Sequence, residues 1–74
     1  MDANDLIETN PQKMSGVPVF MGTRVPITHL FEYLEGGDTV DEFLDQFPTV
    51  TREQALGVLE LSRKTLLSNH EAAA

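Results

Sequence analysis

Seventy-four residues suffice for one small domain with a limited core, and without cysteine neither a disulfide nor a thiolate metal site can supplement it. Twelve Asp and Glu against five Lys and Arg leave a formal charge of −7, which repels nucleic-acid phosphates, attracts a basic partner and favours solubility. No apolar run approaches the roughly 18 residues of a spanning helix, and the acidic opening over residues 1–5 is the opposite of a signal peptide. The chain therefore reads as cytoplasmic, with oligomerisation as its main source of added stability.

In chain order, residues 1–5 read as a disordered N-terminus, 6–67 as one domain and 68–74 as a flexible tail. Leu6 and Ile7 start a short strand, closed by the Asn10-Pro11 turn signal. A loop covers 12–16. Two apolar runs, 17–20 and 25–27, then flank Met21-Gly22-Thr23, and each run carries one proline, Pro18 and Pro26. Gly22 reaches positive φ without a clash, so 17–27 reads as a β-hairpin. The prolines confine its strands to edges, because neither can donate to a ladder.

Three helices follow. Ile27, Leu30, Phe31 and Leu34 recur at helical spacing, which predicts a first helix over 28–35 with Thr28 as N-cap and Gly36-Gly37 as a left-handed exit. A second is predicted over 40–46. Thr39 and Glu42 form a capping-box pattern, Val40, Phe43, Leu44 and Phe47 one apolar stripe, and Pro48 ends the helix. The third starts after Thr51 and reaches about Leu67. Gln54 completes a second capping box, and Val50 and Ala55 hold the two positions of a hydrophobic staple. Ala55, Leu56, Leu59, Leu66 and Leu67 share one broad face of this helix, while Val58 and Leu61 fall off its edge towards the other side. Either the hairpin covers that surplus, or it is a dimer or partner interface. The fold class is α+β, mainly α: a short antiparallel β-hairpin or ribbon followed by a three-helix domain with a helix-turn-helix.

The chemical inventory is thin. His29 and His70 stand far apart, and neither has a second ligand at metal spacing. Asp38, Asp41, Glu42 and Asp45 fail the spacing of a calcium loop and suit the first turn of a helix. Gly36-Gly37-Asp38-Thr39 lacks the Lys of a phosphate loop, and no serine shows a nucleophile arrangement. The chain reads as a non-enzyme without catalytic residues, metal or cofactor. The second and third helices, joined by 47–50, match a helix-turn-helix outline. Thr51, Arg52 and Gln54 then offer suitable base- and phosphate-reading chemistry. No basic stripe accompanies them: Arg52, Arg63 and Lys64 are the only cations of the last two helices, with Glu53 and Glu60 beside them.

Asn10-Pro11, the segment Gly16-Val-Pro-Val-Phe-Met-Gly-Thr-Arg-Val-Pro-Ile27, then Leu34-Glu-Gly-Gly-Asp-Thr-Val40, Phe43-Leu44, Phe47-Pro48 and Thr51-Arg-Glu-Gln54 resemble the domain of unknown function 433 family in that order, over residues 7–65. Gly16, Pro18, Gly22, Thr23, Arg24 and Pro26 carry the specific part of the resemblance. It implies a small helix-turn-helix protein with a preceding β element, acting as a homodimeric type II antitoxin of a small PIN-like nuclease and repressing its own operon. The acidic charge suits a basic nuclease. Val58, Leu61, Leu66 and Leu67 offer docking surface, and a tail that orders on binding stays exchangeable. Arg63 and Lys64 are the candidates to insert a cation among the toxin's metal-binding carboxylates. The alternatives are a stand-alone DNA-binding repressor and a non-catalytic dimerisation module. Arg24 has two readings: it faces a partner or nucleic acid, or it pairs with Glu32 or Glu35 and pins the hairpin to the first helix.

Overall fold

A computed structural model describes residues 3–12 and 14–71. In chain order its elements are α1 (Ala3–Leu6), β1 (Ile7–Glu8), a 3₁₀ turn (Met14–Gly16), β2 (Val19–Phe20), α2 (Ile27–Glu35), α3 (Val40–Gln46) and α4 (Arg52–Glu71). β1 and β2 pair antiparallel, with Ile7 opposite Phe20 and Glu8 opposite Val19. The fold is α+β and mainly helical, a small antiparallel β element followed by three helices.

The strand pairing differs from the hairpin expected over 17–27. The turn is present: Thr23 N–H donates to Phe20 O at 2.9 Å, Phe20 N–H to Val25 O at 3.0 Å and Ile27 N–H to Pro18 O at 3.0 Å. Only an isolated bridge between Val19 and Pro26 results. Pro26 has no N–H to extend a ladder, and its carbonyl accepts His29 N–H at 3.1 Å as the first bond of α2. β2 therefore takes its strand partner from Ile7–Glu8 on its other edge. Pro26 also occupies the N-cap position expected for Thr28, without a side-chain cap. Thr28 lies exposed inside the first turn.

The remaining helix punctuation follows its residues. Gly37 adopts φ 97°, Asp38 N–H donates to Tyr33 O at 2.9 Å and Gly37 N–H to Leu34 O at 3.1 Å, which together make a Schellman motif. Both capping boxes form. Thr39 N–H donates to Glu42 Oε1 at 2.8 Å and Glu42 N–H to Thr39 Oγ1 at 3.1 Å. Thr51 N–H donates to Gln54 Oε1 at 3.0 Å and Gln54 N–H to Thr51 Oγ1 at 3.1 Å. The staple residues Val50 and Ala55 are buried.

Leu6, Phe20, Leu30, Phe43, Val50, Ala55 and Val58 form one core. Phe43 is its centre, with Phe20, Tyr33 and Phe47 rings at centroid distances of 5.9, 5.5 and 5.0 Å. Leu6 reaches α4 at Gly57, where a Cβ would stand 2.9 Å from Leu6 Cδ1. Two expectations are corrected at the ends. Residues 3–5 belong to the single turn of α1, not to a disordered arm, because burial of Leu6 anchors that turn. The α4 backbone continues to Glu71, past Leu67. Residues 1–2 of the expected arm and 72–74 of the expected tail lie outside the described residues. The facing of α4 is corrected too. Ala55 and Val58 are buried, while Leu56 and Leu67, expected on the same face as Ala55, are exposed. The Gly57 notch and the Val50 staple turn the Ala55–Val58 side of the helix towards the core.

Candidate functional site

The partner-binding candidates divide between three places on α4. Val58 is 3 % exposed and belongs to the core, so it is not a surface residue; its chain position cannot distinguish core from interface. Leu61 and Leu66 line an open-sided groove of about 510 Å³, together with Ile7 of β1, Ile27 and Phe31 of α2, and Ser62 and Thr65 of α4. Leu67 and Arg63 lie on the outer side of the helix. There Leu56, Glu60, Arg63 and Leu67 follow one another at i, i+4, i+7 and i+11, which is one strip of an α-helix. Leu66 and Leu67 are about 100° apart around the axis, so the groove and the outer strip are separate surfaces.

Among the described residues, no ionisable side chain lines the groove. Among the described phenylalanines and tyrosine, Phe31 stands outside the ring cluster around Phe43. Ser62 donates its hydroxyl to Val58 O at 2.9 Å and brings no unmet donor to the surface. Sequence reading places Ile27 and Phe31 simply on the apolar stripe of α2 and passes over Ser62 and Thr65. Phe31 sits one position beyond the buried Leu30, and that offset is the signal that its ring points away from the core centre.

On the outer strip, Arg63 Nε donates to Glu60 Oε2 at 3.1 Å. This hydrogen bond, reinforced by the charges of Arg63 and Lys64, holds the Glu60 carboxyl below the ordinary carboxylate range. The same bond raises the Arg63 guanidinium above its ordinary value. Both groups are solvated, so the pair exchanges readily. Lys64 is exposed beside it. Every residue from Arg63 to Ser68 is exposed, and this stretch of α4 lacks cover from the other described residues.

The three candidates for base reading are engaged within the fold. Thr51 Oγ1 and Gln54 Oε1 form the capping box, and Gln54 Nε2 donates to Met21 O at 2.9 Å. That bond fastens the start of α4 to the turn after β2. Arg52 pairs with Asp41 of α3. In the specific segment, Gly16 and Gly22 adopt φ 83° and 77°. Thr23, a buried polar residue, donates its hydroxyl to Phe20 O at 2.8 Å and accepts Val25 N–H at 3.1 Å. Pro18 accepts Ile27 N–H, and Pro26 opens α2. Arg24 is exposed beside Gly22, Thr23, Val25 and Thr49, with no ion-pair partner among the described residues. The pairing with Glu32 or Glu35 does not form; Glu32 is bonded to His29 instead, at 3.1 Å.

His29 stacks on Phe47 with centroids 5.7 Å apart, and the side chain of His70 lies outside the described residues. Among the described residues, no three His, Asp or Glu side chains stand together to hold a metal ion, and no helix is long and apolar enough to cross a membrane. No curated protein and no solved structure matches the chain. A family profile described as "Protein of unknown function (DUF433)" matches residues 7–60, from β1 through the core-facing part of α4. The 74-residue chain belongs to the DUF433 family.

Proposed function

We propose that this protein is a cytoplasmic, non-catalytic antitoxin that neutralises a small PIN-like nuclease by direct contact through the outer strip of α4. The observation that carries this reading is the pair of exposed leucines, Leu56 and Leu67, on the strip that also holds Arg63. They supply apolar anchors around a cation on an uncovered helix, and the net charge of −7 draws in a basic nuclease and speeds encounter. Arg63 exchanges its solvated partner Glu60 for a carboxylate of the nuclease site, with Lys64 beside it. Operon repression is secondary in this reading. Arg52 would first have to leave Asp41, and Gln54 would have to leave Met21.

The test is first whether a PIN-like nuclease gene adjoins this one, its absence counting against the antitoxin, and then RNA cleavage by that nuclease titrated with purified protein. The wild type stops cleavage near one equivalent. The double variant Arg63→Glu/Lys64→Glu needs at least about tenfold more, the loss of roughly one good interfacial contact. Unchanged inhibition by the double variant rules out the outer strip, and a wild type that never inhibits rules out the antitoxin.

A further inference from the structure

We propose that residues 3–8 form a strap that gates apolar surface on α4, lifting as one unit while β2 and the three long helices stay folded. Closed, the strap makes three kinds of contact. Leu6 plugs the notch at Gly57, where a Cβ would stand 2.9 Å from Leu6 Cδ1. Ile7 walls the groove opposite Leu61 and Leu66. Leu6 O accepts Met21 N–H at 2.8 Å, and Glu8 Oε1 accepts Gly22 N–H at 3.2 Å, so the strap also covers one edge of β2.

That hold is narrow. Of residues 5–12, Leu6 alone is buried; Asp5 and residues 9–12 are exposed. β1 is two residues long, and so short a strand pairing is marginal by itself. A terminal segment held by one buried side chain and joined through an exposed link belongs to the low-stability end of a fold.

The structure under the strap has its own ties. The rings around Phe43 come from Phe20, Tyr33 and Phe47, none of them in the strap. On its other edge, β2 is bonded through Phe20 N–H to Val25 O at 3.0 Å. Gln54 Nε2 donates to Met21 O at 2.9 Å and keeps the turn fastened to α4. Lifting residues 3–8 breaks none of these. It removes the Ile7 wall, so that the groove runs on along α4 to the vacated Gly57 notch, and it bares Met21 N–H. The resting chain thus keeps an apolar trough and a strand edge shut, both of which invite pairing when open. The inference does not rest on the nuclease reading, and its test needs no nuclease.

Native-state hydrogen exchange of the full chain measures it. Met21 and Phe20 are adjacent amides on opposite edges of β2, and the strap holds the first. Corrected for intrinsic rates, Met21 is expected to exchange at least about tenfold faster than Phe20. Leu6→Ala shrinks the plug and is expected to speed Met21 by about 30-fold. Thr39→Ala breaks the capping box of α3, away from the strap. It is expected to speed the slowest α2 amides about fivefold and to leave Met21 unchanged. Equal rates at Met21 and Phe20, or a Thr39→Ala that speeds Met21 as much as α2, mean that the strap opens only with the whole chain and overturn the proposal. A Met21 rate indifferent to Leu6→Ala overturns it as well. So does a Leu6→Ala chain that fails to fold, because the helices would then need the seated leucine.

Discussion

Thr23 and Arg24 are neighbours in the specific segment and have opposite roles. Thr23 is 6 % exposed, and its hydroxyl serves two backbone groups, Phe20 O and Val25 N–H. Thr23→Val keeps the shape and removes both bonds, leaving a part-buried N–H unmatched. We expect a loss of about 1–3 kcal/mol in urea unfolding. Arg24→Ala removes an exposed side chain that no carboxylate among the described residues holds, and should change stability by no more than about 0.5 kcal/mol. Equal losses for the two variants would contradict this division. The segment is legible in sequence as a turn, because Gly22 and the two prolines constrain the backbone locally. The opposite fates of Thr23 and Arg24 are not, since burial depends on what the rest of the chain lays over the turn.

At the scale of elements, α4 shows how far periodicity reaches. Its start is written locally: Thr51 and Gln54 cap each other, and Val50 and Ala55 close over the first turn. Its orientation is not. Nothing in the pattern of leucines says that Gly57 receives Leu6 from a distant segment, and that contact helps turn Ala55 and Val58 inward and Leu56 and Leu67 outward. Gly57→Leu should displace Leu6 at a cost of about 1–3 kcal/mol, partly offset by roughly 1 kcal/mol of helix propensity. Hydrogen exchange at Met21 checks the mechanism, because its N–H donates to Leu6 O at 2.8 Å. Faster exchange there, with α2 still protected, is the expected result. One solvated pair in the far half of α4 depends on pH. Glu60 is held below the ordinary carboxylate range by Arg63, so the pair supports the helix above that range and stops doing so as pH falls through the depressed value. The Glu60 carboxyl should titrate by NMR below an ordinary Glu, and Arg63→Gln should move its midpoint back towards the ordinary range, with Lys64 still lowering it slightly.

For the whole molecule, charge and size set the terms within which the fold operates. A −7 chain with one core centred on Phe43 has little apolar surplus: Val17 and Met21 are exposed beside β2, and the exposed leucines Leu56, Leu66 and Leu67 all lie on α4. Much of the architecture is readable from the residues alone: a mainly helical α+β chain, both capping boxes, the Gly37 exit, the stop at Pro48 and the DUF433 membership. Each of these depends on interactions within a few residues, or on a linear pattern, and so survives translation into one dimension. Tertiary structure decided the rest. It paired β2 with Ile7–Glu8 instead of 25–27, drew Thr51, Arg52 and Gln54 into contacts within the fold, and moved Val58 from interface to core. It also assembled the groove, whose walls come from residues 7, 27–31 and 58–66. Those outcomes depend on which distant segments meet. The sequence alone determined where α3 and α4 begin, through their capping boxes, and what net charge the chain carries, and only packing decided which leucines were left facing outward.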